Sequence, residues 1–432
     1  MRGHSNGARA AGALLLGALM LGAVGSALGT SRHAQASGTV SIVAKWTADE
    51  QKSFEAVLAP FKKKNPKVKI KFTGVGDNIT QVLSTAVAGG HPPDIGEIPQ
   101  PGLMTQFAKR GALKPIAFAK PIIAREYQPV WLQLGTVNGK LYGFFFKGAN
   151  KSTVWYNVKS FKDAGVTPPK TWPDLLKVAK TIKASGATAY SIGASDGWTL
   201  TDLFENIYLR TAGPTKYDAL TNHTLKWTDQ SVKDALKLMA DIFSDTGNIA
   251  GGKDGALQTD FPTSVSNVFS SSPKAAMIME GDFVPGVVAS KNPLKPITGY
   301  NQFAFPSING SKPAVMGGGD ALIVFKSSAA VQALIRYLLT PQAATIWAKR
   351  GGFSSPNKLV KPSAYPDAIS RQTAGALAKA TIFRFDMSDL APSAFGGGGG
   401  TEWKLLQDFL SNPKDVDGAA TKLEAAASKA YK

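Results

Sequence analysis

The chain has 432 residues, of which 44% are hydrophobic and 18% are charged, a composition typical of a globular protein with two or three domains. It contains no cysteine, which excludes a disulfide framework, a thiolate zinc site, a cysteine nucleophile and a lipid anchor attached to cysteine. Its formal net charge of +19, from 49 basic and 30 acidic residues, admits a polyanionic partner.

Residues 1–36 predict a secretory signal peptide. Arg2 and Arg9 form its basic region, an apolar stretch follows over residues 10–28, and Ala34-Gln35-Ala36 offers small residues at a cleavage site. The apolar stretch is also long enough to span a bilayer, so retention as an uncleaved anchor is the alternative. We expect an exported protein, periplasmic or associated with the cell envelope, that is not a lipoprotein.

The first part of the exported chain alternates predicted strands with predicted helices. These are a strand at 38–44, a helix at 49–64, a strand at 67–72, a helix at 78–88 and a strand at 94–98. In the second strand, lysines alternate with Val68, Ile70 and Phe72, as on a half-buried strand with one solvated face. Because no aromatic ring lies between those lysines to stack on bases, we expect no nucleic-acid partner.

The alternation continues in the second half of the chain with less regular spacing. The predicted elements are a strand at 153–157, a helix at 171–183, strands at 274–279 and 319–325, and helices at 329–339 and 341–349. Strand–helix–strand order predicts an α/β fold with mostly parallel sheets and helices on both faces.

Residues 193–197 spell G-x-S-x-G, the pattern of a hydrolase nucleophile elbow with Ser195 as the nucleophile. A serine hydrolase also needs a histidine base and a carboxylate that orients it. Outside the signal segment the only histidines are His91 and His223, and only His223 follows the serine. We therefore expect no enzyme, with a serine hydrolase and a glycosidase, which needs only two carboxylates, as open alternatives.

Several short segments follow one another in a characteristic order. Among them are Phe61–Pro66, Ala88–Ile95, Asn138–Gly143, Thr167–Leu175 and Ala275–Phe283. In this order they resemble the extracellular solute-binding proteins of ABC importers, in the carbohydrate-binding group that includes maltose-binding protein. The resemblance covers nearly all of the exported chain.

The resemblance implies a type II periplasmic-binding-protein fold, with two α/β lobes and the ligand in the cleft between them. It implies discontinuous lobes, an N-terminal one from residues 37–148 and 313–350 and a C-terminal one from residues 149–312 and 351–432. It also implies a monomer that closes on a sugar or oligosaccharide and delivers it to a membrane permease. No cofactor or metal is expected.

Positions that match the family's ligand contacts carry side chains suited to a neutral sugar. Aromatic faces pack on apolar C–H patches, and carboxylates or amides bind hydroxyl groups. The residues that the resemblance places at the ligand are Trp46, Asp77, Gln100, Ser195, Asp196, Trp198, Asp282, Phe283, Gly318, Gly319, Asp320 and Arg384. The alternatives are helix packing for Trp46 and Trp198, and a helix N-terminal cap for Asp77.

Two departures from the family leave the ligand and the mode of retention open. Phe283 stands where the family usually has tryptophan, and the lipid-anchoring cysteine of many members is absent. A non-sugar solute is therefore the alternative within the same family. The excess of basic residues in the chain favours an anionic solute such as a glycerol phosphate. The acids predicted to contact the ligand, in contrast, would suit a polyamine; they are Asp77, Asp196, Asp282 and Asp320.

Overall fold

The computed structural model describes residues 36–291, 294–397 and 399–432. Apart from Ala36, the predicted signal peptide lies outside these residues. The strands are β1 (Gly38–Ala44), β2 (Val68–Gly74), β3 (Ile95–Ile98), β4 (Thr136–Val137), β5 (Lys140–Leu141), β6 (Gly143–Asn150), β7 (Thr153–Asn157), β8 (Met277–Met279), β9 (Tyr300–Ala304), β10 (Val315–Val324) and β11 (Phe383–Phe385).

The helices begin and end close to the predicted positions wherever the sequence has a clear period and a cap. They are α1 (Ala48–Lys64), α2 (Ile79–Ala88), α3 (Pro101–Lys109), α4 (Lys120–Glu126), α5 (Pro129–Leu134), α6 (Val158–Asp163), α7 (Trp172–Ala184), α8 (Trp198–Thr211), α9 (Gly213–Thr221), α10 (Gln230–Phe243), α11 (Gly252–Leu257), α12 (Phe261–Phe269), α13 (Val284–Lys291), α14 (Ala329–Leu338), α15 (Pro341–Ala348), α16 (Ala368–Lys379), α17 (Met387–Leu390), α18 (Thr401–Ser411) and α19 (Val416–Ala430).

Two sheets organise the described residues, beside a short β4–β5 ribbon. In the first sheet, β1 pairs with β2 and β3 in parallel and β10 pairs with β11 in parallel, whereas β10 runs antiparallel to β3 and β6. In the second sheet, β7 lies between β8 and β9 and is antiparallel to both.

The predicted α/β fold is confirmed, but the prediction of mostly parallel sheets is wrong for the second sheet. Alternating strands and helices give parallel neighbours only when successive strands join the same sheet by a crossover. Here more than a hundred residues separate β7 from β8, and the chain returns to β7 from the opposite direction.

Helices cover both faces of each sheet. Along β10, Leu322 and Val324 belong to one hydrophobic cluster and Ile323 belongs to another, as the two-residue period of a strand requires. Along β7, Tyr156 and Trp155 divide between two clusters in the same way. None of the described helices combines the length and apolar character needed to cross a membrane.

Two connections lead directly from one sheet to the other. Lys151 and Ser152 join β6 of the first sheet to β7 of the second, and residues 305–314 join β9 of the second sheet to β10 of the first. The C-terminal helices α18 and α19 pack into the hydrophobic cluster that contains the inner residues of β7. The positions of these connections bring residues from both sheets to shared cavities.

Candidate functional site

A cavity of about 680 Å³ is lined by residues that belong to elements of both sheets. Its volume lies in the range of small-molecule binding sites. From the first sheet come residues after β1 and β3 and on β6 and β10; from the helices around the second sheet come the first residues of α8 and α12. We call this the solute cavity.

Three aromatic side chains form one wall of the solute cavity. The ring of Trp198 lies 5.1 Å from that of Phe261 and 5.9 Å from that of Phe283, and the two phenylalanine rings are 5.3 Å apart. All three are only partly buried. This aromatic wall therefore presents apolar faces to the cavity, as stacking on a sugar ring requires.

The first-sheet side of the solute cavity carries lysines that are paired with carboxylates. The ammonium of Lys45 lies 3.7 Å from a carboxylate oxygen of Asp77, and that of Lys147 contacts Glu50 and lies 3.7 Å from Asp320. Burial opposes the charge of Lys147, but Glu50 and Asp320 outweigh it and raise its pKa. These lysines therefore remain charged and largely neutralised by their partners.

Lys151, in the connection between β6 and β7, anchors a second charged group. Its ammonium lies 2.9 Å from Asp202, 2.5 Å from Asp386 and 3.9 Å from Asp389. Burial alone would raise the pKa of Asp386, but the Lys151 ammonium lowers it below its usual range. Burial and the neighbouring Asp386 raise the pKa of Asp389, so the pKa values of Asp386 and Asp389 are shifted in opposite directions.

The lysines also lie over the aromatic wall. The ammonium groups of Lys45 and Lys151 are 5.5 and 5.7 Å from the ring centre of Trp198, and that of Lys147 is 5.8 Å from the centre of Phe283. Cations at this distance are attracted by the negative face of an aromatic ring. Charged groups and apolar faces thus alternate around the cavity.

Seven of the twelve predicted ligand-binding residues line the solute cavity. They are Asp77, Gln100, Asp196, Trp198, Phe283, Gly319 and Asp320. Asp196 also accepts a hydrogen bond from the backbone N–H of Phe261 at 2.7 Å, so it positions the start of α12 as well as facing the cavity.

Trp46 does not line the solute cavity, because its side chain is fully buried. Its ring lies 4.8 Å from that of Phe54 and 4.9 Å from that of Trp347. The indole N–H donates to Asp320 Oδ2 at 2.7 Å. Trp46 therefore orients Asp320, one of the predicted ligand-binding acids, through a buried hydrogen bond.

Four other predicted residues also lie off the wall of the solute cavity. Ser195 is an exposed residue beside Asp196, and the buried Asp282 accepts a hydrogen bond from Ser354 Oγ at 2.5 Å. Gly318 faces Lys151, whose Cε would lie 2.8 Å from an added Cβ. Arg384 turns away to pair with Asp218 through two hydrogen bonds of 2.5 and 2.8 Å.

The G-x-S-x-G motif forms a turn before α8. Gly197 has a φ of +75°, and an added Cβ would lie 2.7 Å from the Cβ of Trp403. Any other residue at this position would be strained and would clash with Trp403, so the second glycine of the motif is required by the turn. Within the described residues, no hydrogen bond joins Ser195 to a histidine, and His223 Nε2 lies 3.2 Å from Glu424 instead. Nor does any cluster of three or more His, Cys, Asp or Glu among them suit a metal ion.

Sequence reasoning missed the three lysines and Phe261. A lysine inside the apolar run Phe144–Asn150 was a usable signal, because a buried ammonium needs a carboxylate partner. No local pattern identifies Phe261 or the acids Asp202 and Asp389, since their partners are distant in sequence.

Two sheets flanked by helices share a cavity with an aromatic wall and paired charges, an arrangement suited to binding a small solute. The family model of the bacterial extracellular solute-binding proteins matches residues 44–345. The chain belongs to this family, and the resemblance predicted from the sequence is confirmed.

Two curated relatives support this assignment, and a solved structure matches the fold. The osmoprotective compounds-binding protein GgtB of Synechocystis sp. is 30% identical over 385 residues, which cover 86% of this chain and 88% of that protein. The α-glucosides-binding periplasmic protein AglE of Rhizobium meliloti is 31% identical over 399 residues, covering 88% and 85%. The structure of the bacterial solute receptor AcbH, described as preferring β-D-galactopyranose, superposes with a TM-score of 0.81 at 18% identity, covering 92% of this chain and all of that one.

Proposed function

We propose that this protein captures a neutral sugar or short oligosaccharide for an ABC importer. The observation that carries the proposal is the aromatic wall of Trp198, Phe261 and Phe283 facing carboxylates across one cavity. A sugar offers apolar C–H faces to such rings and hydroxyl groups to such carboxylates. The name of AglE points to the same chemistry, and α-glucosides are the class that we would test first.

The charge of the solute cavity disfavours an anionic solute. Its lining contains seven acidic residues and four basic ones, in contrast to the excess of basic residues in the whole chain. The ammonium groups of Lys45, Lys147 and Lys151 are already paired with acids. A phosphate would have to displace those carboxylates, whereas a sugar hydroxyl can bind beside them.

The division into two lobes that close on the ligand is part of the same proposal. We assign residues 37–148 and 313–350 to the N-terminal lobe and residues 149–312 and 351–432 to the C-terminal lobe. β11, at residues 383–385, pairs with β10 of the first sheet, so the last boundary is the one to test by domain dissection. Export, delivery to a membrane permease, a monomeric state and the lack of turnover also belong to this proposal.

Isothermal titration of the purified protein with maltose, trehalose, glycerol 3-phosphate and spermidine tests the proposal. We expect saturable binding of an α-glucoside, a weakening of about tenfold or more in Trp198→Ala through lost stacking and buried area, and no released product. Ser195→Ala is the matched control and should bind like the wild type. Binding of only the phosphate or the amine would contradict the sugar assignment, and product release lost in Ser195→Ala would contradict the receptor.

A further inference from the structure

A second cavity, of about 580 Å³, lies at the connections between the two sheets. Residues of both connections, among them Ser152 and Ala314, contribute to its wall together with residues of α16. Among the described residues that line it are four basic side chains, Lys170, Arg210, Lys312 and Lys379, and no acidic one. Its electrostatic character is therefore opposite to that of the solute cavity.

Arg210 is the inner cation of this second cavity, with only 7% of its surface exposed. Its guanidinium lies over the ring of Phe305, 4.7 Å from the ring centre, and forms no ion pair among the described residues. A buried cation without a carboxylate partner is costly, so the site is incomplete as the protein alone presents it.

The hydrogen bonds of Arg210 leave donors unused. Its Nη1 donates to the backbone and side-chain oxygens of Asn206 at 3.0 and 3.1 Å, and its Nη2 donates to the backbone oxygen of Ala314 at 2.9 Å. A guanidinium has five N–H groups, so two have no acceptor within the described part of the chain. A pair of free N–H groups on one guanidinium is the arrangement that binds an oxyanion.

The remaining lining supplies a charged rim. Lys170, Lys312 and Lys379 are exposed and surround the buried Arg210 with positive charge.

We propose that the second cavity binds a small oxyanion such as phosphate or a carboxylate. Arg210 donates its two free N–H groups to the anion, and the exposed lysines attract the ligand. This site is separate from the solute cavity, although α8 contributes to both: Trp198 is its first residue and Arg210 is its next-to-last.

Isothermal titration with sodium phosphate and with sodium citrate tests the site without any saccharide, so its outcome is independent of the proposed sugar function. Ionic strength is held constant with sodium chloride. We expect saturable binding to the wild type and a loss of affinity of about tenfold in the double variant Lys312→Gln/Lys379→Gln. Arg210→Gln should reduce binding further, and its far-UV circular dichroism reports whether it has folded.

The double variant Lys109→Gln/Lys162→Gln is the matched control, because it removes the same charge from exposed positions outside the cavity. It should bind both anions like the wild type. The proposal is overturned if neither anion binds saturably or if the cavity variants bind like the wild type. It is also overturned if the control pair loses as much affinity as the cavity pair, because the anions would then respond to net charge alone.

Discussion

At the scale of single residues, Asp282 shows how a predicted ligand acid takes a structural role. Its backbone N–H donates to Asn150 at 3.0 Å, which ties the residue after Gly281 to the end of β6. One carboxyl oxygen accepts from Ser354 Oγ, and the other is buried with no partner among the described residues. Burial raises the pKa of Asp282 to about 6, with Ser354 opposing the shift.

This raised pKa predicts how stability depends on pH. Because the folded state holds the proton of Asp282 up to about pH 6 and the unfolded state releases it near its usual value of 3.8, the free energy of unfolding should fall as pH rises through that window. The contribution is about 3 kcal/mol if the shift is fully expressed.

Urea denaturation of the wild type and Asp282→Asn at a series of pH values measures this contribution. We expect the wild type to lose stability relative to the variant between about pH 4 and pH 6, because the amide does not titrate. Asp234→Asn, at an exposed position, is the control and should follow the wild type. Parallel pH curves for the wild type and Asp282→Asn would show that the carboxyl group stays charged when folded.

At the scale of elements, the aromatic wall depends on where helices begin. Phe261 is the first residue of α12, and its backbone N–H donates to Asp196. Asp260 caps the same helix by accepting a hydrogen bond from the N–H of Thr263 at 2.7 Å. Trp198 is likewise the first residue of α8, so helix N-termini hold both rings in place.

Removing the cap of α12 should cost stability and solute affinity together. We expect Asp260→Ala to lower the free energy of unfolding by about 1 kcal/mol, because one N–H of the first turn loses its acceptor. Urea denaturation gives this value, and titration with the best saccharide shows whether Phe261 has moved. Asp260→Ser keeps an acceptor for this N–H and should retain most of the stability. An equal loss of stability in both variants would assign the effect to the charge of Asp260 rather than to its capping hydrogen bond.

At the scale of the whole molecule, Lys151 links elements that belong to different sheets. It lies in the connection from β6 to β7, and its backbone N–H donates to Met316 of β10 at 3.0 Å. Its ammonium holds Asp202 of α8 and Asp386, the residue that caps α17. The side chains of both acids are almost completely buried. Burial raises the pKa of Asp202 to about 8 even beside Lys151, whereas the Lys151 ammonium lowers the pKa of Asp386, so the charge of Asp386 depends on this cation.

Replacing Lys151 should therefore destabilise the whole molecule. We expect Lys151→Met to lower the free energy of unfolding by about 3–5 kcal/mol, since the variant leaves the buried carboxylate of Asp386 without its cation. Lys159→Met is the comparison, because Lys159 forms an exposed helix pair with Asp163 that contributes below about 0.5 kcal/mol. Equal losses in the two variants by chemical denaturation would mean that the buried acids are accommodated in neutral form.

Much of the architecture follows from local pattern. β1 and β7 have the predicted bounds, and the alternation of lysines and apolar residues in β2 gives exposed Lys69 and Lys71. These features depend on side chains near one another in sequence, so a period of two residues is enough to predict them. The family follows for the same reason, because its short segments lie in a fixed order along the chain.

Sequence by itself therefore determined the class of fold, the family and seven residues of the solute cavity. Only the tertiary structure decided that Trp46 lies behind Asp320, that Arg384 pairs with Asp218, and that the second sheet is antiparallel. The physical reason is distance along the chain. Trp46 and Asp320 are 274 residues apart, and neither local period nor capping carries information about which distant side chain will share a buried hydrogen bond.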